Sequence, residues 1–180
     1  MARKQLTDVA CSIARATDVF GDAWTALIMR DVLLGCTRFD DLAQDLGISR
    51  KVLAARLNRL VDEDVLRRVR YQDSPPRHDY QPTEKGRELC AVLLALMAWG
   101  DRWYGGQDGP PLLIRHLDCG ERTTAVSACA HCGGELTSEN TNHEPGPGGR
   151  AGPGTLVLAP LIEARFTGGE SAREAGGDRA

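Results

Sequence analysis

FDDLAQDLGISRKVLAARLNRLVDEDVLRRVRYQDSPPRHDYQP, residues 39–82, carries the pattern that decides the fold. Phe39, Leu42, Ala43 and Leu46 recur at i, i+3, i+4 and i+7 and stop at Gly47; Ser49 then opens a second run with Leu53, Leu57, Leu60 and Val61. The spacing predicts two amphipathic helices joined by a turn of about three residues, in which both helices bury one face against a shared core. A plain helical hairpin has the same signature. The next segment separates the two: residues 66–71 and 78–81 are strand-like and flank the turn-rich Gln72, Asp73, Ser74, Pro75, Pro76 and Arg77. A β-hairpin directly after a helix-turn-helix makes a winged helix.

Outward from this stretch the helical spacing continues. Asp22 is placed to cap a helix whose expected buried stripe is Trp24, Leu27, Ile28 and Leu34 and which ends at Gly35, after a shorter helix over 11–20. Thr83 caps a long helix over 84–104 with Leu89, Leu93, Leu96, Gly100 and Trp103 along one side. The expected fold class is mainly α with a small β-hairpin wing (α+β), a winged helix-turn-helix. A chain of 180 residues has room for one domain of ordinary size and an appendage. The expected division is a principal domain over 1–105, a linker over 106–111, a small Cys/His-containing module over 112–143, and a largely disordered tail over 144–180, in which 155–166 is apolar enough for a short helix or strand.

Composition narrows the function classes. Net charge is −3, from 22 Lys+Arg against 25 Asp+Glu, so only local clustering can point to a polyanion partner. No run approaches the roughly 20 apolar residues that a membrane span needs, and the N-terminus lacks a signal-peptide pattern; a cytoplasmic protein without a membrane partner is expected. The cysteines suit reduced thiols and a metal site rather than a disulfide framework. No phosphate loop or dinucleotide fingerprint is present, and the cysteines and histidines of the tail have no scaffold for a substrate cleft, so an enzyme is not expected.

Residues 49–80 contain eight Lys+Arg against five acids, a local +3 within a −3 chain. On a helical wheel Leu53, Leu57, Leu60 and Val61 point one way, while Lys51, Ala55, Asn58 and Arg59 point the other, with Val52 beside them. Cations, an amide and small apolar side chains are the inventory for reading base edges and thymine methyls in a major groove of double-stranded DNA. Ser49, Arg50 and Arg56 on this helix, and Arg68, Arg70 and Arg77 on the hairpin, are the expected phosphate contacts. An Arg-rich face alone is more often merely solvated; its position after a helix-turn-helix and before an Arg-bearing hairpin favours DNA binding.

Over about residues 11–103 the sequence resembles the HxlR family of winged-helix regulators, relatives of the MarR type. The resemblance rests on Cys11 followed by Gly21-Asp22-x-Trp24, then Arg38-Phe39-x-x-Leu42, Gly47-Ile48-Ser49, Leu53-x-x-Arg56-Leu57-x-x-Leu60, Tyr71, Pro75-Pro76-Arg77-x-x-Tyr80, Thr83-Glu84-x-Gly86 and Trp99. It implies a transcriptional regulator that acts as a homodimer, joined through the first and last helices of the domain, with each recognition helix on one half of a near-palindromic operator. Some members of the family respond to electrophiles or oxidants through the N-terminal cysteine, which makes Cys11 a candidate sensor thiol, although a lone cysteine is more often a small buried hydrophobe. Trp24, Trp99 and Trp103 are expected as core or dimer-interface aromatics, with a small-effector site between them as the alternative. Three positions depart from the family pattern: Ser12 stands where Pro is usual, Asp64 where a Gly usually ends the recognition helix, and Pro82 where an aliphatic residue is common. Asp64 costs about 1 kcal/mol if a left-handed backbone is required, and Pro82 removes a strand donor, so the hairpin is expected to end early.

Beyond the linker, His116-x-x-Cys119 is followed after nine residues by Cys129-x-x-Cys132, four ligands in the arrangement of a tetrahedral structural zinc site. His131 and His143 compete as the fourth ligand, and a reduced or redox-active Cys-x-x-Cys pair is the plain alternative. The second functional reading is a winged-helix protein-interaction module with a zinc-stabilised tail; a thiol-based redox protein is the third.

Overall fold

Three polar side chains start the helices where the sequence predicts. In the computed structural model, which describes residue 6 and residues 8–164, Asp22 Oδ1 accepts the Thr25 N–H at 3.1 Å, Ser49 Oγ accepts that of Val52 at 3.3 Å, and Thr83 Oγ1 accepts that of Gly86 at 3.1 Å. The elements in chain order are α1 (Ser12–Phe20), α2 (Ala23–Leu33), α3 (Phe39–Leu46), α4 (Arg50–Asp62), β1 (Leu66–Gln72), β2 (Arg77–Pro82), α5 (Glu84–Tyr104), β3 (Ile114–Arg115) and β4 (Arg122–Thr123). This is the expected mainly-α winged helix-turn-helix. Gly47, at φ 60°, ends α3 in the left-handed conformation and makes the turn into α4.

The core joins Ile28, Met29 and Val32 of α2, Leu42 of α3, Leu53, Leu57 and Leu60 of α4, and Val65 and Leu66 at the start of the wing. The stripe expected for α2 is corrected. Thr25, Ile28, Met29 and Val32 are buried at i, i+3, i+4 and i+7, whereas Trp24, Leu27 and Leu34 are 37%, 36% and 68% exposed. The buried face is turned by one residue, about 100°, from the one that the largest apolar side chains suggest.

β1 and β2 pair antiparallel, with Leu66 opposite Pro82, Arg68 opposite Tyr80 and Arg70 opposite His78, and a bulge between Arg70 and Gln72. Arg38 bridges to Asp79, and the Tyr80 N–H donates to the Thr37 carbonyl at 2.8 Å, so the segment before α3 braces the wing. The hairpin does not end early: Pro82 is the last residue of β2. Its missing donor is tolerated there because the next N–H, that of Thr83, reaches the Val65 carbonyl at 3.1 Å. That carbonyl also explains Gly86, where a Cβ would lie 2.1 Å from the Val65 oxygen; only glycine lets α5 start this close to the wing.

The chain divides into two units, one of Asp22–Glu135 and one formed by Met1–Gly21 with Leu136–Ala180. This differs from the division expected from composition. The Cys/His segment up to Glu135 groups with the winged helix, and α1 groups with the C-terminal segment. Within that second unit Arg150 Nη2 donates to the Asp8 carbonyl at 3.4 Å, Gly154 packs against Val9, and Thr155 is buried with its hydroxyl on the Arg150 carbonyl at 2.7 Å. Residues 158–164 are helical, as their apolar character suggests. The polar stretch 167–180, expected to be disordered, lies outside the described residues. Among the described residues no helix is long and apolar enough to cross a membrane.

Candidate nucleic-acid interface

Helix α4 presents two faces. Leu53, Leu57 and Leu60 are buried, while Lys51, Val52, Ala55 and Asn58 are exposed and Arg59 is half-buried beside them. Ser49 is exposed and caps the helix. Arg50 is exposed at its first turn, with Nη1 2.7 Å from Asp40 Oδ1 and its guanidinium carbon 4.8 Å from the centre of the Phe39 ring. An exposed pair of this kind is worth little in water and yields readily to a better anion.

The wing carries the other cations. Arg68 donates from Nη2 to Asn58 Oδ1, which ties the first strand of the wing to the outward face of α4. Arg70 holds the hairpin turn, with Nε 3.0 Å from the Asp73 carboxylate and Nη2 donating to the Asp73 carbonyl at 2.9 Å. Arg77 is exposed at the start of β2. Arg38 lies 4.9 Å from the centre of the Tyr71 ring and 3.8 Å from Asp79, a cluster along the wing that the sequence reading did not single out.

Arg56, expected as a phosphate contact, is engaged within the chain. Its Nε lies 3.1 Å from Asp22 Oδ1, and both side chains are largely covered, at 32% and 19% exposure. Asp22 caps α2, so this ion pair ties α4 to α2. The reason is position: Arg56 follows Leu53 by three residues and precedes Leu60 by four, which sets it beside the buried stripe.

Asp31, also unforeseen, is a buried carboxyl on α2. Burial pushes its pKa above the ordinary 3.8, and the Arg30 guanidinium, 2.6 Å from Oδ1, opposes the shift only in part. Burial likewise raises the Cys36 thiol, helped by the carboxylates of Asp31, Asp41 and Asp45. Neither group faces the exposed surface of α4.

The cysteines singled out in the sequence fall in separate places. Cys11 is the half-buried N-cap residue of α1, without a side-chain capping bond. In the segment after α5, His116 Nδ1 lies 3.4 Å from Cys119 Sγ. The backbone N–H groups of Cys132 and His131 are directed at the Cys129 sulfur and, with the Cys132 thiol, hold the Cys129 thiol below its ordinary pKa. These are two pairs, and among the described residues no group of three or more His, Cys, Asp or Glu side chains is already gathered around one point.

With helix, turn, helix and wing in this arrangement, comparison with known proteins gives a single answer. The sequence pattern of the HxlR-like helix-turn-helix family matches residues 19–108. The chain belongs to the HxlR-like family. It is 44% identical over 140 residues to the HTH-type transcriptional regulator Rv3095 of Mycobacterium tuberculosis, a match covering 78% of this chain and 89% of that relative. The crystal structure of PA1607 superposes with a TM-score of 0.70 at 33% identity, covering 78% of this chain and 99% of that one. The structure of PA1374 from Pseudomonas aeruginosa does so with a TM-score of 0.55 at 36% identity, over 78% and 95%. This HxlR-family chain is therefore a transcriptional regulator of the winged helix-turn-helix type and not an enzyme. A match of 140 residues in a chain of 180 also has to take in the segment that holds Cys119 and Cys132, so the likeness to Rv3095 runs past the winged helix.

Proposed function

We propose that this regulator binds double-stranded DNA as a homodimer on a near-palindromic operator, with α4 in the major groove and the wing on the flanking backbone. Lys51, Val52, Ala55, Asn58 and Arg59 face the bases; Ser49, Arg50, Arg68, Arg70 and Arg77 face phosphates. The observation that carries this reading is the join between the two basic elements. The Arg68 bond to Asn58 makes the outward face of α4 and the first strand of the wing one surface. That surface is positive at the helix N-terminus, where the peptide dipoles also favour phosphate.

The dimer rests on α5. Val92, Leu96, Trp99 and Trp103 recur at i, i+4, i+7 and i+11, one face of the helix, and are 50%, 50%, 54% and 63% exposed within a single chain. A contiguous exposed apolar stripe with two tryptophans has the character of an interface core.

Hydroxyl-radical footprinting on the DNA upstream of the protein's own coding region tests both parts. Two protected patches one helical turn apart, about 10 base pairs or a multiple of it, are expected. Leu96→Glu should turn the dimer into a monomer in sedimentation and abolish the paired footprint. A single protected patch that Leu96→Glu leaves unchanged would contradict the dimer; no protection at low salt would move the reading to the protein-interaction module.

A further inference from the structure

Two turns in the segment after α5 are built alike. In the first, the Gly120 N–H donates to the His116 carbonyl at 2.8 Å, Gly120 sits at φ 73°, and the His116 N–H returns to the Glu121 carbonyl at 2.9 Å. In the second, the Gly133 N–H donates to the Cys129 carbonyl at 2.8 Å, Gly133 sits at φ 73°, and the Cys129 N–H returns to the Gly134 carbonyl at 2.7 Å. Each turn closes a small antiparallel pair, β3 with β4 around the first and the Ala128–Glu135 bridge around the second. A left-handed glycine after the fourth residue lets the chain curl, so that the first and fourth side chains point to the same place. Those side chains are His116 with Cys119, and Cys129 with Cys132.

Each turn also brings its two donor side chains together. In the second, the N–H groups of His131 and Cys132 aim at the Cys129 sulfur. His116 turns Nδ1 toward Cys119 Sγ and has Nε2 3.6 Å from Asp118. The surroundings need a staple. Leu112, Leu113, Leu117 and Val126 are all exposed, and 112–135 contributes no buried apolar side chain.

We propose that the two turns are the halves of one structural zinc site, with His116 and Cys119 from the first and Cys129 and Cys132 from the second as its four ligands. Two thiolate-bearing turns of this shape supply the donors and the tetrahedral arrangement that zinc takes in closed sites. Binding displaces the thiol protons of Cys119, Cys129 and Cys132 into solvent and leaves the cysteines reduced. The two pairs stand apart among the described residues, so the ion draws them together. The connecting residues 124–127 have no regular structure and Val126 is 71% exposed, so this closure breaks no helix or strand.

The test uses the full chain, purified under reductant, with metal content measured per chain and zinc then exchanged for cobalt(II). One ion per chain is expected, and the cobalt form should show the intense visible bands of a tetrahedral centre with thiolate-to-cobalt charge transfer. Cys129→Ser with Cys132→Ser should lose the ion, His116→Cys should keep it and strengthen the charge-transfer band, and Cys90→Ser should change nothing. Metal content no higher than in the double variant, or the pale spectrum of octahedral cobalt, overturns the proposal. So does a Cys129–Cys132 pair that takes up no metal and closes to a disulfide when an oxidant is added, which would make it a redox dithiol. None of these readouts involves DNA, so the site and the DNA-binding reading stand or fall separately.

Discussion

Arg68 in β1 donates to the side-chain oxygen of Asn58 in α4, so the wing and the recognition helix share a side-chain bond as well as a core. The amide oxygen is engaged by the guanidinium, and the Asn58 NH2 is what remains for a base. Asn58→Ala should therefore relax preference at one operator position and also loosen the wing, weakening binding to every sequence. Arg68→Ala should weaken binding to all sequences alike and reduce the salt slope by about 1. Titrations against an operator and its single-base variants, at several salt concentrations, separate the two; identical behaviour of the variants would contradict this geometry.

Arg56 and Arg77 carry the same charge in different settings. Arg56 is paired at 3.1 Å with the carboxylate that caps α2, and Arg77 is exposed on the wing. Arg56→Gln should lower thermal stability, by about 1 kcal/mol for a half-covered ion pair with a capping partner, and leave the salt slope of DNA binding as in the parent. Arg77→Gln should do the reverse. Calorimetry and salt titration of both variants check the pair of outcomes.

Asp64 ends the loop after α4 at φ 54°, alone among the described non-glycine residues in the left-handed region. Its carbonyl accepts the Thr83 hydroxyl at 2.7 Å, a contact that glycine retains. Asp64→Gly should raise stability by about 0.5–1 kcal/mol. Urea unfolding should show a higher midpoint with an unchanged slope; an unchanged or lower midpoint would show that the aspartate side chain compensates for its backbone.

Asp31 gives a pH dependence with a definite sign. Its folded pKa lies above the unfolded 3.8, so the folded state holds the proton more tightly. Stability contributed at this site is greatest with the proton bound and falls as pH rises from the unfolded value through the raised folded one. Asp31→Asn, which mimics the protonated carboxyl and keeps an oxygen for Arg30, should be more stable than the parent at neutral pH. The difference should vanish as pH falls below the unfolded value. A gap independent of pH would assign the effect to packing.

The helix-turn-helix and its caps were legible because they rest on local chemistry. Ser49, Asp22 and Thr83 each accept an N–H three residues on, and Gly47 takes a backbone that side-chain-bearing residues avoid. Burial phase was less legible. Trp24 and Leu27 look like core residues by type, and only packing of the whole domain shows that Thr25 and Met29 take those places. The ion pair of Arg56 was not legible for a related reason: its partner is 34 residues away, and no local pattern reveals a long-range ion pair. The grouping of the N-terminal segment with the C-terminal one is equally non-local, as the contact of Arg150 with Asp8 shows. In the Cys/His segment the His-x-x-Cys and Cys-x-x-Cys spacing was visible, whereas the matched turns and their left-handed glycines were not.

Whether this HxlR-family regulator reads DNA through α4 and the wing is tested most directly by fluorescence anisotropy. DNA from the protein's own upstream region and a shuffled control should each be titrated at several salt concentrations. A preference of roughly 10³ or more for the native fragment is expected, with log K falling steeply against log salt. Equal affinity for both fragments, or binding that salt does not weaken, would contradict specific recognition through this surface.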